Sequence, residues 1–206
     1  GENKVIRKTT WISVAAKVLA LSVLLMTSPA SANGYREQGK TVKVAKSDLH
    51  VTPPQDWNKL SIRPGKNAET WTLDGEQLND VTFYGGIAPG KPLVKERNKK
   101  REPLPKMKED TLLIDIPELL EGTYRAYKQI GIFKLTSTEP SKFLGLDSVK
   151  FTYEYVDADN LTRLGEGHAA IVEGELYMAT FDAPRLHYFA QGLDAFHALV
   201  GTASLP

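Results

Sequence analysis

Cysteine is absent from the 206 residues. That excludes a disulfide scaffold, thiol catalysis, cysteine zinc sites, iron–sulfur ligation and a lipid-modified N-terminal cysteine. No charge of one sign dominates either. The 26 Lys and Arg face 25 Asp and Glu, so the overall balance selects no particular partner. Phosphate-cradling glycine loops are missing. Gly85-Gly86 and Gly165-Glu166-Gly167 lack both the Lys-Ser/Thr ending and the dinucleotide spacing. No serine sits in a Gly-x-Ser-x-Gly elbow, the strained turn that exposes a hydrolase nucleophile. What remains, 41% hydrophobic and 25% charged residues, is the composition of an ordinary globular protein.

The first thirty-two residues read as an export signal. Lys4, Arg7 and Lys8 form a positive start, Trp11 to Met26 is mostly apolar, and Ala30 and Ala32 occupy the small-residue positions a signal peptidase reads. The run after Lys17, Val18–Met26, contains Ser22 and is far short of the roughly 20 apolar residues of a membrane span. Cleavage after Ala32 is expected. The mature protein is then periplasmic or secreted, is neither a lipoprotein nor integral to the membrane, and has 22 basic and 24 acidic residues. A chain of that size can bury about 70% of its surface without covalent staples.

Along the mature chain, residues 33–47 are polar and expected to be flexible, and a single domain is expected over 48–206. Leu49 and Val51 suggest a short strand before Pro53-Pro54 and Trp57. Residues 69–73 and 78–84 flank Asp74-Gly75 as a hairpin, the Asp-Gly pair favouring a tight turn. Asp115 and Glu118 make a capping box, with Pro117 in the first helical turn. Ile116, Leu119, Leu120, Tyr124 and Tyr127 follow on one stripe, and Gly131 should end that helix. Four strand candidates come next, beginning with residues 132–135. In the second, Val149, Phe151, Tyr153 and Tyr155 alternate with polar residues, the period of a half-buried strand. A closing helix carries Leu186, Phe189, Leu193, Phe196 and Val200 on one face. The pattern predicts an α+β fold, an antiparallel sheet of about six strands covered by helices.

Three stretches resemble the PsbP-like superfamily, which includes the extrinsic photosystem subunit and DcrB-like envelope proteins. They are Val51-Thr52-Pro53-Pro54-Gln55-Asp56-Trp57, Phe143-Leu144-Gly145-Leu146-Asp147 before the strand 149–155, and Tyr177 with the closing helix 186–200. The resemblance implies an α/β/α sandwich and a non-enzymatic accessory or binding role, and it supplies no catalytic residue. Residues 91–108 depart from the family pattern in length and charge.

That departure is the one local composition that stands out. Lys91, Lys95, Arg97, Lys99, Lys100, Arg101, Lys106 and Lys108 face only Glu96 and Glu102. Pro92, Pro103 and Pro105 break any periodicity, so the segment should be a long, extended, exposed loop. It holds no aromatic residue on which nucleic-acid bases could stack. The segment is either a solvated loop that only resists aggregation or a dock for an anionic envelope surface or an acidic envelope protein, reached by salt-sensitive attraction.

The four histidines offer little chemistry on sequence grounds. Glu166 and His168 lie two apart on a strand and share a face, but two ligands fall short of the three or four of a zinc site. They read as a polar pair. Asp194 and His197 are three apart on the closing helix and read as a helix-surface pair. His187 and His197 are ten residues apart, about 15 Å along that helix, and cannot share one ion. Asp157-Ala158-Asp159-Asn160 is a turn, since the frame has neither the glycine nor the distal glutamate of a calcium loop. No catalytic residue, metal or cofactor is expected. The leading reading is a non-catalytic exported envelope protein that binds or helps assemble another component. The alternative is a periplasmic hydrolase or small-ligand carrier using a pocket on the sheet.

Overall fold

A computed structural model describes residues 34–206; the expected signal peptide lies outside the described residues. In chain order the elements are β1 (Gly34–Arg36), β2 (Val42–Lys43), β3 (His50–Val51), β4 (Trp57–Lys59), β5 (Ala68–Thr72) and β6 (Asp80–Ile87). Then come α1 (Ile116–Tyr127), β7 (Phe133–Phe143), β8 (Leu146–Val156), β9 (Thr162–Val172), β10 (Glu175–Pro184) and α2 (Tyr188–Val200). Eight strands form one antiparallel sheet in the order β1-β4-β5-β6-β10-β9-β8-β7, and β2 pairs with β3 in a separate ribbon.

Each sheet face is covered. Phe151, Tyr153 and Tyr155 of β8 and Leu176 and Met178 of β10 pack with Leu120 and Tyr124 of α1. The intervening positions of β10, Tyr177, Ala179 and Phe181, pack with Phe196 and Leu199 of α2. The period-two alternation thus sorts side chains between two cores, and the result is an α/β/α sandwich.

The sheet has eight strands rather than about six. The extra members, β1 and β4, are three residues each, too short to show a period. The strand expected near Leu49–Val51 belongs instead to the β2–β3 ribbon. The stretch 33–47 is not a flexible leader from Gly34 onward. Gly34–Arg36 pairs with β4, and Val44 is fully buried. The Glu69 carboxylate accepts from the Arg36 guanidinium and from the backbone N–H of Ala45 (2.9 Å). Folding therefore begins well before residue 48.

The β5–β6 hairpin forms as its pattern predicts, Trp71 facing Val81 across the pair. Its turn is closed by Asn79, whose Oδ1 accepts from the Thr72 hydroxyl (2.9 Å) and from Leu73 N–H (2.8 Å). Helix α1 stops at Tyr127, before Gly131, because Gln129 adopts φ 55°. Asp115 does not cap α1 with its side chain; it accepts from Leu112 N–H (2.9 Å) in the preceding turn. Strand β7 is longer than expected and runs through Pro140. A proline is tolerated there because β7 is the outer strand of the sheet.

Candidate functional site

The centre of interest is the middle of β9, where Gly165-Glu166-Gly167-His168 alternates between faces. The two glycines look toward α1, and they are glycines for lack of room. A Cβ at Gly165 would lie 2.1 Å from the Tyr153 ring, and one at Gly167 would lie 2.3 Å from the Phe151 ring. Aromatic rings from β8 thus lie flat over β9. Glu166 and His168 look the other way, toward α2.

There the helix brings in a third group. His168 Nε2 and His197 Nε2 each lie 2.6 Å from Glu166 Oε1. His168 is buried, its ring edge-on to Phe196 with centroids 5.6 Å apart, whereas the His197 side chain is 44% exposed. The structure brings Glu166 and His168 within hydrogen-bond distance of each other and adds a third group. His197 joins Glu166, 31 residues away in sequence, rather than Asp194. Burial alone would raise the Glu166 carboxyl, yet the hydrogen bonds from His168 and His197 hold it below the usual carboxylate range. His168 Nδ1 is buried without a partner. Beside the cluster a cleft of about 360 Å³ opens between the β7–β8 turn, with Lys142, Phe143 and Gly145, and the end of α2 at Val200.

A different polar cluster lies under α1. Asp182 is completely buried and accepts from Tyr124 (2.5 Å), Tyr153 (2.6 Å) and Lys128 (3.1 Å). Arg163 donates to the Tyr155 hydroxyl (3.1 Å) and to the Gln77 carbonyl (2.8 Å), and stands 3.5 Å from Asp80. Burial pushes Asp80 up to about 7, against the pull of Lys128 and with the Asp182 charge adding to the rise. A cavity of about 340 Å³ adjoins this cluster, lined by Asp80, Tyr84, Tyr124 and Lys128 with Ile62, Val94 and Arg97 at its walls.

The basic segment 91–108 is exposed but not extended. It folds back on itself: Gly90 N–H donates to the Met107 carbonyl (2.7 Å) and Met107 N–H to the Lys91 carbonyl (2.9 Å). Leu93, Val94, Leu104 and Met107 are buried in the α1-side core, an apolar anchoring that a charge count does not reveal. Lys95, Arg97, Lys99, Lys100, Arg101, Lys106 and Lys108 are all exposed. Among the described residues only Lys106 of this group has an ion-pair partner, Glu96 at 3.9 Å. Arg97 lies over the Tyr127 ring, 4.5 Å from its centroid. An open groove of about 700 Å³ runs between Lys99, Lys106 and Lys108, with Pro103, Leu104 and Met107 along it. The loop and the Glu166 cluster therefore belong to opposite faces of the sheet.

No family model matches the chain, and no curated protein matches it. Among solved structures, the solution structure of cyanobacterial PsbP (CyanoP) from Synechocystis sp. PCC 6803 aligns over 85% of this chain and 94% of its own, with a TM-score of 0.55 and 11% identity. The fold is PsbP-like. A crystal structure from Bacteroides thetaiotaomicron VPI-5482 matches over 82% of this chain and 49% of its own at TM-score 0.49 and 11% identity. The Ran-binding protein Mog1p of Saccharomyces cerevisiae matches over 84% and 96% at TM-score 0.46 and 8% identity. At such identities a PsbP-like fold is all that the likeness conveys. Among the described residues no helix is long and apolar enough to cross a membrane.

Proposed function

We propose that the protein is a non-catalytic, exported accessory module that docks on an anionic envelope surface through its basic loop. The observation that carries this reading is the anchored loop itself. Its apolar residues are buried while six of its cations, Lys91, Lys95, Lys99, Lys100, Arg101 and Lys108, stand exposed without a carboxylate partner among the described residues. Lysines dominate, and a lysine attracts phosphate as a point charge rather than by a fork-shaped fit. An array of that kind suits a charged surface better than one bound small molecule. Each cation held near an anionic leaflet is worth roughly 1 kcal/mol, so several together give useful but salt-sensitive attraction.

Co-sedimentation with phosphatidylglycerol-containing vesicles tests the proposal. Binding is expected at low salt, absent from phosphatidylcholine vesicles, and abolished when Lys99, Lys100 and Arg101 are together reversed to Glu. Equal binding by the reversed protein at low salt would make the loop merely a solvated one.

A second reading, a small-ligand carrier, is favoured by the cavity of about 340 Å³ beside Asp80 and Lys128, which reaches the lower size of ligand pockets. A bulky replacement at its wall, Val94→Phe, separates the two. It should spare vesicle binding and block any ligand held in the cavity.

A further inference from the structure

Two imidazoles and one carboxylate directed at one point form a donor set of narrow meaning. We propose that Glu166, His168 and His197 form a binding site for a divalent transition metal of the zinc class. Their three donor atoms all lie within 4.8 Å of one another. Mixed imidazole and carboxylate donors suit zinc and its neighbours in the first transition row, whereas calcium and magnesium take oxygen ligands almost throughout. A metal about 2.0–2.1 Å from each donor requires Glu166 Oε1 to withdraw slightly from the two nitrogens it now bridges. The flexible glutamate side chain allows this without moving β9.

The scaffold is suited to the task. Two ligands come from alternate positions of a central strand and the third from a helix packed on it, and rigid elements hold site geometry better than loops do. Both imidazoles turn Nε2 toward the same oxygen. The buried His168 Nδ1 has no protein partner, so packing against Phe196 and the shared point at Nε2 alone orient that ring.

Charge also permits a cation. Lys150 stands opposite His168 in the strand register and lies within reach of the Glu166 charge, but its hydrogen-bonded partner is Glu139. Three protein ligands leave the metal a further coordination position. The half-exposed His197 and the cleft of about 360 Å³ at the β7–β8 turn give that position access to solvent. The arrangement is that of an open zinc site rather than a closed structural one.

Calorimetric titration of chelator-stripped protein with Zn2+ tests the site. One ion per chain is expected, with no comparable uptake of Mg2+. His197→Ala and Glu166→Gln should each weaken binding by about tenfold or more, while Asp194→Asn, on the same helix, should leave it unchanged. Because His168→Ala could fail to fold, His168 is followed in the unaltered protein by NMR. The ring signals of His168 and His197 should move on Zn2+ addition, and those of His50 and His187 should not. Absence of stoichiometric binding, or binding undiminished in both His197→Ala and Glu166→Gln, would overturn the proposal.

Discussion

On the α1 face Asp182 is sealed in protein, and two tyrosine hydroxyls and an ammonium answer its charge. On the α2 face Glu166 meets two histidines at a single oxygen, beside a cleft, with one histidine nitrogen left without a partner. Both carboxylates are buried on neighbouring central strands, so depth does not distinguish them. Completeness does. A fully answered buried charge has nothing left to offer a ligand and works as a structural element. An incompletely answered cluster next to solvent is where a ligand can add something. The α1 side also carries an aromatic stack, with Phe133, Tyr153 and Tyr155 packed in near-parallel rings beside the Asp182 network.

The comparison can be broken first at its packing. Phe196→Ala, at a fully buried position of α2, should cost about 3–5 kcal/mol in urea unfolding, and a loss below about 1 kcal/mol would detach that helix from the core. Leu186→Ala, 81% exposed just before α2, should fall within about 0.5 kcal/mol of the unaltered protein. The next effect concerns the network. Tyr153→Phe deletes one donor to Asp182 and should cost about 1–3 kcal/mol, measured in the same way.

Another effect is read against pH. Asp80 in the folded protein is raised to about 7, above the ordinary carboxyl value of about 3.9. Between those values the folded state holds more of the proton than the unfolded state does. Stability from this group is thus fully present below about pH 4 and falls as pH rises toward 7, with no further change beyond. Asp80→Asn should remove that fall, and unfolding curves at about pH 5 and about pH 8 for both proteins check it. The smallest effect is expected at the loop. Reversing Lys99, Lys100 and Arg101 to Glu should shift stability by no more than about 0.5 kcal/mol, since all three side chains are exposed.

Much of the architecture was legible because the sheet interior obeys a strict period. The alternation of Val149, Phe151, Tyr153 and Tyr155 predicts β8 and its buried face, and of the expected closing-helix stripe Phe196 is core, whereas Leu186 lies before α2 and is exposed. The short strands β1 and β4 escaped because three residues carry no periodic signal, and their position depends on long-range contacts such as that of Arg36 with Glu69. The candidate site was half legible. Glu166 and His168 share a strand, so spacing alone places them together. His197 reaches them only through the packing of α2 on the sheet, and its sequence neighbour Asp194 supplied a nearer, mistaken partner. Four buried leucine, valine and methionine side chains scattered among the cations of 91–108 were the overlooked signal that this loop is tied down.

The most direct test of the contrast between the two carboxylates is the unfolding free energy of metal-free Asp182→Asn and Glu166→Gln, measured side by side by urea denaturation. Asp182→Asn takes the charged acceptor from two buried tyrosine hydroxyls and from the partly exposed Lys128 and should cost about 2–3 kcal/mol. Glu166→Gln keeps an oxygen acceptor and an amide donor for the two histidines and should cost less than about 1 kcal/mol. A Glu166→Gln loss as large as that of Asp182→Asn would show that the Glu166–His168–His197 cluster holds the fold together, and would contradict its reading as a site.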